Sequence, residues 1–460
     1  MFTKTSKNKD THAIKKHPVD EMLSLDKLFV YGLQHVLAMY AGAVAVPLIV
    51  AGAAGLSKAD TAFLINADLF TCGIATLIQT LGFWKIGIRI PVIQGVSFAS
   101  VTPMIMIAQS QGMESIYGAV IVAGLFAFFI APYFSKLLRF FPPVVTGSVV
   151  AVIGITLLPV GIDWAAGGYG NKSYGAPEFL MLAGVVLLSI LIFNKYFKGF
   201  ISHISVLLGL LVGMAIAVPM GLVNLSGLSN AAWVGLDTPF YYGLPKFDIG
   251  AIIAMCLVIL VIMVESTGDF LALGEIIDKP IKEKDLNRGL RADGLSIVLG
   301  GILNAFPYTA FAQNIGLVAL TKVKSRYVVA ASGLILVILG LFPKLAIIIA
   351  SLPDPVLGGA GIAMFGIVAA SGIKTLSKVN YEKYPHNIFI VALSIGISII
   401  PIVSPNFFKY FPSWSQTILH SGITLGALTA ISLNLFFNGG GGSASKIKEK
   451  TAKGAGVTEI

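Results

Sequence analysis

Fourteen apolar runs follow one another along this 460-residue chain, near 28–52, 61–83, 93–109, 116–134, 142–161, 177–194, 202–222, 249–271, 290–304, 310–321, 327–350, 355–371, 386–403 and 414–437. A helix needs about 20 apolar residues to cross a bilayer, so the series describes an all-α polytopic membrane protein. Charged residues make up only 12% of the chain, about half of the roughly 25% usual for soluble domains. Two of the runs are short and follow a proline: "PVIQGVSFASVTPMIM" from Pro91 and "PYTAFAQNIGLVAL" from Pro307.

The net charge of +10 would suggest a nucleic-acid partner in a soluble protein. Here the basic residues serve as topological markers. With the N-terminus inside, 27 lysines and arginines fall on inner segments; five, Lys58, Lys172, Lys246, Lys344 and Lys409, fall at the outer ends. That is the asymmetry of a membrane protein whose inner loops are basic. It predicts an even number of spans, cytoplasmic tails at 1–26 and 439–460, and both short segments as crossings. Merging either with its neighbour would invert every later loop. The first eighteen residues contain no apolar core, so no cleavable signal peptide is expected there. The Gly- and Lys-rich end reads as a flexible tail. Cys72 and Cys256 each lie inside an apolar run and read as packing residues, with no metal-ligand spacing.

The short segments are the third and tenth of fourteen, hence the third members of two seven-span halves. Seven is odd, so the halves are inverted relative to each other. Matched broken segments in inverted halves point to a transporter's binding site. Irregular backbone at that depth is tolerated only where it lines a cavity or is buried in protein.

Ionisable groups in such surroundings are functional candidates, because burying one costs about 2.5–3.5 kcal/mol on insertion scales. Five stand out: His35, Asp68, Glu265, Asp269 and Asp293. Glu265 and Asp269 are four apart, on one helix face and about 6 Å along the axis. A helix starting near Ala251 places Glu265 about 21 Å along it. Two such carboxylates suit a proton-coupled carrier, although Asp269 could instead be solvated at the cytoplasmic mouth. Asp293 either pairs with Arg288 or Arg291 at the water boundary or reaches inward to hold half-helix backbone. His35 is a site residue or a packed helical histidine, and Asp68 a buried helix-to-helix hydrogen-bonding group. In the short segments, Ser97 and Phe98 sit in the first, Ala312, Gln313 and Asn314 in the second. A carboxylate accepting N–H groups, an amide that both donates and accepts, and an aromatic face suit a flat heterocycle with alternating N–H and C=O. Half-helix N-termini add backbone donors. A channel would want a wider polar lining. An enzyme would need a nucleophile–base or metal constellation, and none is evident.

"QNIGLVALTK", Gln313 to Lys322, resembles the signature of the nucleobase–ascorbate transporter family at every fixed position. "QH" at 34–35, "QGVSFA" at 94–99, "ESTGD" at 265–269 and "DG" at 293–294 resemble the family too, over essentially the whole chain outside the tails. "GIDWAAGGYGN", "GLRADG" and "FPKLAIIIASLPDPVLGGAGIAMFG" are similar to bacterial urate and xanthine permeases. The resemblance implies a core domain at 27–140 and 249–352 and a gate domain at 141–248 and 353–438, with the gate carrying a homodimer contact. Segments 3 and 10 would each hold a short strand and a half-helix. Glu265 and Gln313 would hydrogen-bond a purine, Phe98 would stack on it, and the backbone at Ser97 and Ala312 would lie alongside. His35, Asp269, Asp293 and Asn314 would support the site and the proton path. Urate-type relatives can lack an acid at the position of Asp269, which leaves its part less defined than that of Glu265. Uracil carriers of this fold tend to have a carboxylate at the position of Gln313, which favours a purine dione. The implied activity is uptake of urate or xanthine with a proton, by an elevator movement, in the bacterial inner membrane. Membrane lipid is the surrounding partner, and no cofactor beyond the coupling proton is implied.

Overall fold

The computed structural model describes residues 17–439, apart from 169, 226, 230 and 237. Of the expected tails, 1–16 and 440–460 lie outside the described residues. The first half runs α1 (Leu25–Ala53), α2 (Lys58–Leu81), β1 (Gln94–Val96), α3 (Val101–Gln111), α4 (Met113–Ile130), α5 (Phe134–Leu137), α6 (Pro143–Ala165), α7 (Pro177–Tyr196), α8 (Phe200–His203) and α9 (Ser205–Ala217). The second runs α10 (Ile249–Ile276), α11 (Glu283–Ile302), β2 (Tyr308–Ala310), α12 (Ala312–Thr321), α13 (Arg326–Gly340), α14 (Pro343–Ala350), α15 (Asp354–Leu376), α16 (Asn387–Val403), α17 (Ser413–Leu419) and α18 (Gly422–Asn438). Helices dominate because lipid offers no partner to a free backbone group.

A helix falls within each of the fourteen apolar runs. Among the described residues, seven helices are long and apolar enough to cross a membrane, or eight if the bent pair α13–α14 counts as one span. The others fall short for visible reasons. α3 and α12 are half-length helices that continue from strands. α11 begins with charged residues, Glu283 through Arg291. α13 and α14 meet at 82°, where Pro343 opens the second helix and cannot continue the hydrogen-bond ladder of the first.

Helix contacts are most extensive within two sets. In one, α2 packs on α13, α4 on α11 and α10, and α1 on α13; in the other, α6 packs on α15, α7 on α15 and α9, and α16 on α18. Small residues allow the closest approaches, as expected where packing rather than hydrophobic transfer joins helices. At Gly154 of α6, a Cβ would stand 2.2 Å from the Ala369 backbone nitrogen of α15.

β1 and β2 pair antiparallel, with Gln94 opposite Ala310, Gly95 opposite Thr309 and Val96 opposite Tyr308. The pairing is extended at both ends, where Ser97 N–H donates to the Pro307 carbonyl at 3.0 Å and Phe311 N–H to the Ile93 carbonyl at 3.1 Å. Each short segment is therefore a strand followed by a half-helix, and every strand residue is buried. Two segments distant in sequence satisfy each other's backbone in the protein interior, which is what permits non-helical chain at that depth.

Candidate functional site

The strand pair ends where two half-helices begin. After β1, Ser97 leads into a single 3-10 turn, Phe98–Ser100, and then α3; its hydroxyl accepts from Ala99 N–H at 3.2 Å. After β2, Phe311 leads directly into α12, which places Ala312 and Gln313 in its first turn. The opening N–H groups of a helix have no intrahelical acceptor, so two sets of backbone donors converge beside the strands. Glu265, midway along α10, faces the same place, and the Ser97 hydroxyl donates to its Oε2 at 3.4 Å.

These groups line one cavity of about 280 Å³. The structure thus brings together Glu265, Ser97, Phe98, Ala312 and Gln313, residues that the sequence spreads over more than 200 positions. Ala312 and Gln313 are open to it, while Glu265 and Phe98 are half-buried. The Phe98 ring meets Phe365 of α15 edge-on, with centroids 5.9 Å apart and planes at 83°. One carboxylate, one free amide and one aromatic ring offer two acceptor oxygens, a donor–acceptor pair and a flat apolar surface.

The supporting candidates sit behind this lining. Asn314 is buried, and its amide donates to the His35 carbonyl at 2.8 Å and lies 3.1 Å from His35 Nδ1. His35 therefore has a partner on the half-helix. On α10, the Ser266 hydroxyl lies 2.9 Å from that of Thr309 and accepts from Ala310 N–H at 3.3 Å, so the residue next to Glu265 holds β2. Asp293 is fully buried and pairs with neither Arg288 nor Arg291; its Oδ1 accepts from the Gln79 amide at 2.7 Å. Gln79 also donates to the Gly289 carbonyl at 3.0 Å and accepts from Ile88 N–H at 3.0 Å, tying α2, α11 and the stretch before β1 together. Asp269 does not line the cavity; it is half-buried, and among the described residues its Oδ2 has no hydrogen-bond partner. Asp68 is buried as expected, but its partner is a strand rather than a helix: the Tyr308 hydroxyl of β2 donates to its Oδ1 at 2.9 Å. Cys72 and Cys256 are free, and the Cys72 thiol donates to the Gln94 carbonyl at 2.8 Å.

The signature ends as a helix end should. Thr321 returns its hydroxyl to the Leu317 carbonyl at 2.8 Å, and Lys322 takes the left-handed conformation, φ 57°, that closes α12. A Cβ at Gly316 would stand 3.5 Å from Nε2 of His203, on the one-turn helix α8.

Several lining residues gave no signal in the sequence. Phe311 sits between two glycines: a Cβ at Gly95 would fall 2.2 Å from its Cδ2, and one at Gly42 2.7 Å from its Cζ. Val150, Ile153, Ile367 and Val368 form an apolar wall from α6 and α15, with Ser371 at its edge. In chain order these are ordinary members of apolar helices, and only tertiary placement distinguishes them. A second cavity, of about 150 Å³, shares Phe98, Phe311, Gln313 and Ile367 with the first and extends to α7 and α8. A further one, of about 130 Å³, lies where α6 begins and α18 ends and holds none of the candidate residues.

The chain is 48% identical over 437 residues to the uric acid transporter UacT of Escherichia coli, covering 94% of this chain and 91% of that one. It is 47% identical over 407 residues to the xanthine permease of Bacillus subtilis, covering 88% and 93%. Among solved structures it resembles the transmembrane domain of the cyanobacterial bicarbonate transporter BicA, with a TM-score of 0.55 at 14% identity, over 91% of this chain and all of that one. That likeness concerns the fold alone. Residues 26–407 match a family described as the permease family, and with these relatives the chain belongs to it: a multi-pass membrane permease of the nucleobase–ascorbate transporter type, and not an enzyme.

Proposed function

We propose that the protein is a secondary active transporter that takes up oxidised purines, urate or xanthine, together with a proton. The observation that carries this reading is the meeting of Glu265 and Gln313 in one cavity, where two half-helices begin and Phe98 lies alongside. Glu265 accepts N–H groups of the purine dione, Gln313 both donates and accepts at an imide edge, and Phe98 covers the ring. The names of the relatives, a uric acid transporter and a xanthine permease, support the same substrate class. Glu265, with Asp269 one turn further along α10, supplies acid groups for coupling, and Asp293 and His35 hold the surrounding elements.

The reading extends to fourteen crossings in two inverted sevens, with both termini in the cytoplasm of a bacterial inner membrane. Segments 1–4 and 8–11 form a core that moves against a gate of segments 5–7 and 12–14, and paired gates make a homodimer. The lysine and arginine distribution supports the orientation.

Uptake of labelled xanthine and urate by whole cells, at two pH values and against a panel of purines and uracil, tests it. Saturable uptake that follows the proton gradient is expected, with loss in Glu265→Gln and Gln313→Ala while the protein still reaches the membrane. Competition by uracil alone would point to another nucleobase, and flux that never saturates would point to a channel.

A further inference from the structure

We propose that Asn194, Ser202 and His203 form a second purine site, a release site between the central cavity and the cytoplasm. The proposal rests on the purine reading given above.

The second cavity shares Phe98, Phe311 and Gln313 with the central one, so the Gln313 amide borders both. Its far wall differs from the apolar wall of the first, because it carries polar groups from the end of α7 and from α8. The Asn194 side-chain NH2 donates to the Ser202 hydroxyl at 3.4 Å, and that hydroxyl donates to the Asn194 main-chain carbonyl at 3.4 Å, which leaves the side-chain Oδ1 of Asn194 without a partner among the described residues. His203 is exposed, and its Nδ1 lies 3.0 Å from the Gly199 carbonyl. A carbonyl can only accept, so Nδ1 carries the hydrogen and Nε2 of the neutral ring is an acceptor. Nε2 has no hydrogen-bond partner among the described residues. It faces α12 at Gly316, where a Cβ would lie only 3.5 Å away.

Gly316 is three residues beyond Gln313, about 4.5 Å further along the helix. By the charge distribution, α12 runs from mid-membrane toward its cytoplasmic end at Lys322. An oxidised purine leaving Gln313 in that direction meets two unused acceptors, His203 Nε2 and Asn194 Oδ1. Its ring N–H groups match them, and because Gly316 is exposed and carries no side chain, nothing at that position covers the Nε2 edge. The handover replaces one set of hydrogen bonds with another before the purine reaches water.

The test uses the full-length protein in right-side-out and inside-out membrane vesicles, with labelled xanthine and labelled urate as probes. The readout is the ratio of half-saturating concentrations at the two faces. His203→Ala and Asn194→Ala are each expected to shift that ratio by about two- to ten-fold, the worth of one net hydrogen bond, toward weaker binding from the cytoplasmic face. His203→Gln, which keeps an acceptor, is expected to restore most of it and guards against misfolding of the alanine variant. Gly316→Val, which places a side chain against the imidazole, is expected to shift it in the same direction. An unchanged ratio in folded His203 and Asn194 variants overturns the release site while purine transport stands. A wild-type protein that moves neither purine in either vesicle overturns both readings.

Discussion

The buried amide of Asn314, in the first turn of α12, donates to the main-chain carbonyl of His35 at 2.8 Å and lies 3.1 Å from the same residue's Nδ1. The carbonyl contact fixes which end of the amide is NH2, and an NH2 group can only donate, so Nδ1 accepts. The neutral imidazole then keeps its hydrogen on Nε2. One side chain thus anchors the half-helix to α1 and selects a tautomer. Asn314→Ala is expected to leave a buried acceptor on His35 unpaired, at a cost of about 1–3 kcal/mol. A fall of several degrees in Tm in detergent and at least a ten-fold loss of purine uptake should be measured. Asn314→Asp removes the donor without changing size, and a variant of unaltered Tm would show that the contact positions nothing.

Gln79 and Asp293 make a second prediction. Gln79 uses its whole amide, giving to Asp293 and the Gly289 carbonyl and accepting from Ile88 N–H. The segment leading to β1 and the start of α11 are both held through this one residue. Gln79→Ala strands a fully buried carboxyl and a buried N–H together. The expected cost is about 2–5 kcal/mol, the upper part of the range for breaking buried polar partners. Asp293→Asn, which keeps an oxygen to accept from Gln79, should cost clearly less. Tm values for the two variants decide the matter, and equal losses would contradict the assigned roles.

The loop after α10 offers a pH dependence that can be worked out in sign. The Lys324 ammonium pairs with Asp278 and holds its carboxyl below the ordinary value of 3.8, with His17 nearby adding to the effect. A lowered folded-state value means the contact stabilises fully above the ordinary carboxylate range and is lost as pH falls through the lowered value. The Tm gap between wild type and Asp278→Asn should therefore be widest above about pH 5 and close as the pH drops below the carboxylate range. Since Asp278 is exposed, the gap should be small and should shrink in high salt. A gap that grows on acidification would reverse the assignment.

Much of this arrangement is written locally in the chain. Apolar runs of span length mark the long helices, and Pro91 and Pro307 mark where helix cannot form. Glu265 and Gln313 are conspicuous because a polar side chain is costly among apolar neighbours. Other parts depend on distance. The strand pairing joins Gln94 to Ala310, and no local pattern carries a register across more than 200 residues. Asp293 lies two residues from Arg291 and five from Arg288, so the sequence leaves open both a pairing at the water boundary and an inward reach, and folding presents it with Gln79. Phe311 reads as one more apolar residue until the two glycines that hold its ring are seen together.

That aromatic clamp yields the last prediction. A Cβ at Gly95 would lie 2.2 Å from Phe311 Cδ2, far inside contact distance. The ring has no retreat toward α1, where a Cβ at Gly42 would come within 2.7 Å of its Cζ. Gly95→Ala must therefore distort either the strand pair or the start of α12, and overpacking of this kind costs about 1–3 kcal/mol. Because Phe311 borders both cavities and precedes Gln313 by two residues, purine uptake should fall along with Tm. Replacing the ring relieves the cause, so Phe311→Leu should destabilise the wild type yet restore stability to Gly95→Ala. Residues in contact depart from additivity by about 0.5–3 kcal/mol, and a double-mutant cycle on Tm would register it. Strictly additive losses would mean that Gly95 is needed for some reason other than the Phe311 ring.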